Sequence, residues 1–505
     1  MNTVPHRCLL QWAQQRPASV AVIGSGLRVT YAELAAGAQW AANWWHLKGV
    51  RQGDRVACAF QEDDHQTLAQ IELMYGLAWL GAVLLLMPQG AAKATQGPFL
   101  RRLNIDWLMA SSAEQSDLMG FAAAQTHWVD AYQIWRAAQA PRGAMPQVPD
   151  VPAVLDPALP LAFELTSGTT GTPKLVLHTH GHYLAALQGT QNVLGFEPSD
   201  VLLGPMRWPG KVGWRSLLRS HCWGAAHVEE TMPRLWEDLT RLQQATGLTG
   251  TNPAPGQLRA LVASAPPGTV LATPLRVMSA AGATVVPTDV VQARAQLCAR
   301  FQVVYASTET GIIAHLPADA PPHAALRIVP GVQVRVIGPA GQTLPSGEVG
   351  RLHVRSAWVA SGYWQNPVES ALGFVDGGFL SDDTGQLTPD GGLMLMGRVS
   401  DTINFGGVKI APRQVEAILM QYPALADAAV VACPHLTAGE MPIAFVVFKG
   451  PPDMPALQHH MTQNLDQYHF PVAMVPCSTL ARTPDGKVDQ AALRALFVRL
   501  LPLMP

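Results

Sequence analysis

The strongest constraint on this 505-residue chain is a regular alternation of strand-like and helix-like apolar segments that begins at residue 27. Val29, Thr30 and Tyr31 lead into an Ala-rich amphipathic run over 32–47. Residues 54–60 (DRVACAF) read as a buried strand, 67–79 as a helix and 83–87 as another apolar strand. This is a βαβ pattern, and it predicts a parallel sheet covered by helices. Residues 141–160 then carry six prolines, which interrupt regular structure and mark a linker or subdomain seam. The alternation resumes with a helix over 234–245, a strand over 275–278, a helix from Pro287 to near Phe301 and a strand over 302–305. A second α/β layer is expected there.

The pattern then changes. Between 332 and 355 the chain has only short β runs separated by Pro/Gly turns, so a small antiparallel, β-barrel-like unit is expected. After Ser400 a compact α+β region follows: a strand over 408–410, a helix with Pro412 in its first turn, and strands over 428–432 and 443–448. The predicted fold is α/β, with a large N-terminal domain (1–399) of two layered α/β subdomains plus the β unit. A small α+β C-terminal domain (400–505) completes it.

Composition narrows the function classes. Charged residues make up 14% and hydrophobic residues 48%, against a usual charged share of about 25%, which excludes disorder and a coiled coil. A net charge of -2 gives no overall pull toward nucleic acid or an anionic membrane. The six cysteines form no C-x-x-C pair and read as reduced packing thiols. The N-terminus lacks a secretory apolar region. The most apolar stretch, 73–87, contains Gly76 and Gly81 and falls short of the ~20 residues needed to span a bilayer. A cytoplasmic protein with no membrane span and no nucleic-acid partner is expected.

Chemistry concentrates in residues 164–179, ELTSGTTGTPKLVLHT. Gly168 and Gly171 let the backbone fold tightly, Ser167, Thr169, Thr170 and Thr172 add donors, and Lys174 adds a positive charge. Such a loop suits a polyphosphate, although an ordinary Gly/Thr hairpin has similar composition. It is not a Walker loop, because GK[ST] is absent and LVLH reads as a strand. His178, His180 and His182 alternate along that expected strand, but no cysteine or carboxylate stands nearby in sequence to complete a metal site.

TSGTTGTPK resembles the phosphate loop of the adenylate-forming superfamily of acyl-CoA synthetases, nonribosomal-peptide adenylation domains and luciferases. Further motifs of that family follow in order. Tyr305-Ala306-Ser307-Thr308-Glu309 resembles YGxTE, Ser381-Asp382-Asp383 resembles TGD, Gly397-Arg398-Val399-Ser400-Asp401 resembles GRxDD, and residues 482–487 (RTPDGK) resemble the terminal RTPxGK. VTYAELA near the start and GYWQNP at 362–367 fit as well, so the resemblance spans essentially the whole chain.

The resemblance implies activation of a carboxylic acid by ATP to an acyl-adenylate, then transfer to a thiol, with CoA the first choice. Alternatives are a stand-alone adenylating enzyme that loads a carrier protein or forms an amide, and a non-catalytic nucleotide-binding homologue. It implies ATP contacts from Thr166, Ser167, Gly168, Thr169, Thr170, Gly171, Lys174, Gly282, Ala283, Tyr305, Ala306 and Ser307. Tyr305 would stack on adenine, Asp383 would accept from the ribose hydroxyls and Arg398 would contact the nucleotide near the domain boundary. Glu309 would hold Mg²⁺, Thr308 a phosphate oxygen, and Lys487 the charge that develops as pyrophosphate leaves.

Ser400 is the implied hinge of a mobile C-terminal domain, and Gly406 and Gly407 border an implied CoA tunnel. Trp208, Lys211 and Ala281 fall in the implied acyl pocket, where Lys211 is either a partner for a second substrate carboxylate or a solvated loop lysine. The segment GPMRWPGKVGWRS has no acidic residue to meet an α-ammonium, which disfavours an α-amino acid. Four positions depart from the family pattern: Asp382 and Ala306 stand for glycines, Ser400 for the usual hinge Asp or Lys, and Ala481 for a common proline before Arg482. About twenty residues follow Lys487, so no carrier domain is expected, and assembly of identical chains is left open.

Overall fold

The computed structural model describes residues 4–24, 26–59, 67–87, 103–110, 127–130, 156–166, 174–206, 211–283, 285–405, 408–435, 439–467, 469–482 and 488–500. Two sheets dominate the N-terminal part. A six-stranded sheet has the order His127–Asp130, Trp107–Ala110, Arg55–Ala59, Val83–Leu86, Pro160–Thr166, Lys174–Thr179. All its neighbours are parallel except the last pair.

A nine-stranded sheet runs Arg327–Ile328, Gly311–Leu316, Gln302–Ser307, Val277–Ala281, Gly250–Thr251, Val201–Leu203, Ala226–Glu229, Val20–Gly24, Leu27–Thr30. Its middle is parallel and its edges antiparallel.

Side-chain alternation explains how the two sheets stack. Val56 and Cys58 point into a core that also holds Ala21 and Val22 of the second sheet, together with helices Tyr31–Lys48, Thr67–Leu80 and Lys211–Cys222. Ala57, one residue out of phase, faces the opposite cluster with Val83, Leu85, Leu108 and Phe163. A shared helical layer therefore lies between the sheets, as the βαβ pattern requires. Helix Tyr31–Lys48 starts on a capping box: the Glu33 N–H donates to Thr30 Oγ1 at 3.2 Å, and the Thr30 N–H donates to Glu33 Oε2 at 2.8 Å. Its partner helix approaches at Gly76, where a Cβ would lie 2.7 Å from the Ala42 nitrogen.

The β unit consists of antiparallel strands Gln333–Ile337, Gly350–Arg355, Phe374–Val375, Gly378–Leu387 and Leu393–Arg398. Its core residues Val334, Val336, Leu352 and Val354 pack on Ile312, Ile313 and Trp358, which fixes the unit to the edge hairpin of the nine-stranded sheet.

The small C-terminal domain has its own sheet: Val408–Ile410, Ile403–Phe405, Gly439–Phe448, Leu425–His435 and Ala473–Cys477. Val415, Leu419, Leu457 and Met461 cover one face, and Leu493 and Phe497 cover the other. Its Asp427 contacts Arg259 of the N-terminal domain at 2.5 Å, while Arg259 also meets Asp289 and Asp427 also meets Arg482. Among the described residues no helix is long and apolar enough to cross a membrane. Five of the six cysteines are buried.

Four local expectations shift. The helix from Pro287 ends at Gln296, because Leu297–Phe301 turns back through bonds from the Cys298 N–H to the Ala293 carbonyl and the Phe301 N–H to the Cys298 carbonyl. The strand expected at 275–278 occupies Val277–Ala281. Pro160, the last of the clustered prolines, opens a strand, where no N–H is needed; residues 141–155 lie outside the described residues. The histidine alternation breaks at Thr179, whose Oγ1 accepts from the His182 N–H at 3.1 Å. His180 and His182 therefore begin the helix His180–Leu194, and His178 and His180 share no strand face.

Candidate active site

The C-terminal ends of parallel strands Val277–Ala281 and Gln302–Ser307 lie side by side, Ala281 opposite Val304, in the position where open α/β sheets bind ligands. Gly282 follows with φ +93°, a left-handed conformation that favours glycine, and Ala283 stands next to it. The second strand ends at Ser307 and returns as Gly311–Leu316. The turn between them is held by the Thr310 N–H donating to Ser307 Oγ at 3.2 Å and by a 2.9 Å hydroxyl contact between the same residues. Thr308 and Glu309 form the tip of that turn, and Ala306 is exposed beside it.

Three predicted nucleotide residues meet directly. The Tyr305 hydroxyl donates to Asp383 Oδ2 at 2.7 Å, and Arg398 Nε donates to Asp383 Oδ1 at 2.8 Å across the antiparallel pair Asp383–Arg398. Asp383 is buried, and its own N–H donates to Ser381 Oγ. Burial first and Asp383 second push the Tyr305 hydroxyl well above the ordinary tyrosine value, so it remains a donor at any physiological pH. Each Asp383 oxygen carries one of these side-chain bonds and retains capacity for a second donor.

The neighbouring position is built differently. The Tyr363 hydroxyl donates to Glu309 Oε1 at 3.0 Å, and the Ala360 N–H donates to the Glu309 carbonyl at 2.9 Å. Lys174 Nζ lies 5.0 Å from the Tyr363 ring centroid and pairs with Glu369 at 2.5 Å. Lys174, read from sequence as a mobile positive charge that suits a polyphosphate, is ion-paired with Glu369 in this structure. Tyr363 belongs to GYWQNP and bridges to Val176, which ties that motif to the strand leaving the Gly/Thr loop. Thr166 and Lys174 face each other across that hairpin, bracketing the loop.

Strands Pro160–Thr166 and Lys174–Thr179 contribute to a buried polar cluster that the sequence did not announce. Glu164 Oε1 accepts from the Tyr183 hydroxyl at 2.5 Å and from Arg215 Nε at 2.7 Å, and His178 lies 3.8 Å from the other oxygen. Burial, against the opposing pull of Glu164, brings His178 down to about 4, so it is neutral at pH 7, and it meets the backbone of Thr308.

The Ser400 N–H donates to Asp382 Oδ2 at 3.3 Å, so two of the positions that depart from the family pattern contact each other. Lys211 opens helix Lys211–Cys222. Ser167, Gly168, Thr169, Thr170, Gly171, Trp208, Gly406, Gly407 and Lys487 lie outside the described residues. Among the described residues no group of three or more His, Cys, Asp or Glu is placed to hold a metal. A magnesium ion here would rest on Glu309 together with nucleotide phosphates and water, which is how this ion is commonly held.

Comparison with known proteins identifies the family. The family model described as AMP-binding enzyme fits residues 9–364, and that of the AMP-binding enzyme C-terminal domain fits residues 414–487. A fatty acid–[acyl-carrier-protein] ligase, ScoC of Streptomyces coeruleorubidus, is 27% identical over 96% of this chain and 95% of its own. The 2-succinylbenzoate–CoA ligase of Geobacillus kaustophilus is 27% identical over 99% of each. ATP-bound MatB from Rhodopseudomonas palustris shares the fold with a TM-score of 0.84 at 21% identity, over 98% of this chain and 99% of that one. With both family models matched in order and the Tyr305–Asp383–Arg398 cluster assembled between the sheet and the β unit, the chain belongs to the AMP-binding enzyme family.

Proposed function

We propose that this enzyme is an AMP-forming carboxylic acid:CoA ligase. The observation that carries the reading is the convergence of Tyr305, Arg398 and Asp383 beside the Thr308–Glu309 turn. Asp383 offers its remaining lone pairs to the two ribose hydroxyls. Thr308 and the loop residues 167–171 take phosphate oxygens through hydroxyl and N–H donors. Glu309, held by Tyr363, retains an oxygen for Mg²⁺; the bound ion supplies neutralisation of the phosphate charge.

In the first half reaction a carboxylate oxygen bonds to the α-phosphorus and the bond to pyrophosphate breaks. Lys487, carried by the C-terminal domain, stabilises the developing charge. In the second half reaction a thiolate attacks the acyl carbon and AMP leaves with the bonding electrons. We assign the domain boundary to Ser400 and a reorientation of residues 400–505 between the steps, with Gly406 and Gly407 beside the CoA path. Trp208, Lys211 and Ala281 line the acyl pocket in this reading, and the supply of ATP and CoA places the reaction in the cytoplasm. Loading of a carrier protein is the second reading, supported by the carrier-protein ligase among the relatives.

Pyrophosphate exchange into ATP with a panel of acids, followed by thioester analysis with CoA, tests both. Exchange and acyl-CoA formation with one acid support the ligase. Exchange without acyl-CoA favours the carrier, and no exchange with any acid contradicts both. In the same assay Lys487→Ala should abolish adenylation while largely sparing thioester formation from supplied acyl-adenylate. Equal loss of the two steps contradicts the role given to Lys487.

A further inference from the structure

Arg219 lies two turns beyond Lys211 on helix Lys211–Cys222 and is only 8% exposed. Its Nη2 donates to Asn252 Oδ1 at 2.7 Å, and the guanidinium stands 5.3 Å from the Phe196 ring centroid. Among the described residues no carboxylate pairs with it, and its buried Nε–H has no acceptor. Burial lowers Arg219 to about 10, which leaves it a cation at neutral pH. Arg215, Arg259, Arg276 and Arg398 all face carboxylates, so Arg219 is the exception in this group. A desolvated cation without a counter-charge is unfavourable unless something else supplies one.

Arg219 borders a cavity with room for about one water, lined also by the polar Thr251, Asn252 and Ser279 and the apolar Leu194, Phe196, Leu202 and Val277. Ser279 precedes Ala281 and Gly282 on strand Val277–Ala281, and helix Lys211–Cys222 forms the other wall. Those two elements flank the groove given above to the acyl group. Arg219 lies one helical turn beyond Arg215, whose charge Glu164 already meets.

We propose that this cavity is the floor of the acyl groove and that Arg219, anchored by Asn252, binds an anionic far end of the acid, so that the preferred substrate class is a dicarboxylic acid. One oxygen of the distal carboxylate takes the place of a water and accepts from Nε–H. The inference rests on the acid-activating reading.

The test compares straight-chain acids of equal length ending in methyl or in carboxylate. Two readouts are used: kcat/KM in pyrophosphate exchange, and calorimetric binding in the presence of a non-hydrolysable ATP analogue. Wild type should favour one diacid over its monoacid partner by at least about tenfold, the range of a hydrogen bond to a charged group. Arg219→Met should erase or invert that preference while retaining exchange with the monoacid, and Arg219→Lys should keep its direction with a smaller ratio.

An unchanged ratio in Arg219→Met overturns the proposal and leaves the ligase reading intact. If Arg219→Met does not fold, a ratio in Arg219→Lys equal to that of wild type overturns it likewise. Diacid binding that Arg219→Met loses, with no exchange by any acid, supports the anion site and removes the ligase reading. Absence of diacid binding and of diacid-supported exchange in wild type overturns the proposal.

Discussion

Asp383 already holds one side-chain donor on each oxygen, Tyr305 on one and Arg398 on the other, so its position is fixed before any nucleotide arrives. That pre-positioning suits the ribose-binding role proposed for Asp383. Asp383→Asn keeps the shape but removes the charge and one acceptor. It should lower kcat/KM for ATP in pyrophosphate exchange by about 10- to 100-fold, the range of a hydrogen bond to a charged group. An effect under about twofold would remove Asp383 from the nucleotide site. Tyr305, Asp383 and Arg398 were readable because each lies in a short motif whose local spacing identifies it. Tyr363 and Glu369 were not, since their roles depend on contacts with Glu309 and Lys174, 54 and 195 residues away. Glu164 and Arg215, 51 residues apart, were hidden for the same reason. Arg219 was hidden because what distinguishes it is the lack of a carboxylate partner among the described residues.

At the scale of elements, hydrophobic period located helices Tyr31–Lys48, Thr67–Leu80, Trp236–Thr246 and Pro287–Gln296 but left others unread, Lys211–Cys222 and Pro255–Ser264 among them, and two boundaries fell where one hydroxyl or one turn decides the outcome. Residues 174–182 read as a continuous strand until the Thr179 side chain caps the following helix. The helix from Pro287 stops at Gln296 because a turn diverts the backbone, which periodicity does not encode. Packing between elements is sharper than the sequence shows. Gly76 sits where helix Thr67–Leu80 meets helix Tyr31–Lys48, and an added Cβ would come within 2.8 Å of the Ala41 carbonyl carbon as well as the Ala42 nitrogen. Backbone cannot yield as a flexible side chain does. Gly76→Ala should therefore destabilise by about 1–3 kcal/mol, read as a lower urea midpoint with an unchanged slope. An unchanged midpoint would mean that the helices separate at no cost.

For the whole molecule, low charge has a consequence in acid. His6, His178, His180 and His221 are buried, and burial lowers them from 6.5 to about 3, 4, 4 and 3. Between about pH 4 and 6.5 the unfolded chain binds protons that the folded chain refuses. Their contribution to stability is therefore present above pH 6.5 and lost as pH falls, by about 1.4 kcal/mol per pH unit for each group. Glu416 acts in the opposite direction: burial raises it from 4.5 to about 7, so its term weakens folding as pH rises through that window. Four histidines outweigh one glutamate, and unfolding near pH 5.5 should take up about three protons net. Denaturant midpoints measured from pH 7.5 to 5.5 should drop steeply, and a flat profile would contradict buried neutral histidines. The two family domains meet at Arg259, Asp427 and Arg482, and the chemistry proposed for them has one distinctive atom transfer. With an acid labelled by oxygen-18 in its carboxyl group, MgATP and CoA, attack on the α-phosphorus leaves one labelled oxygen in AMP and none in pyrophosphate. Label in AMP is the predicted result; label in inorganic phosphate with ADP as product, or acyl-CoA formed with unlabelled AMP, would contradict the account.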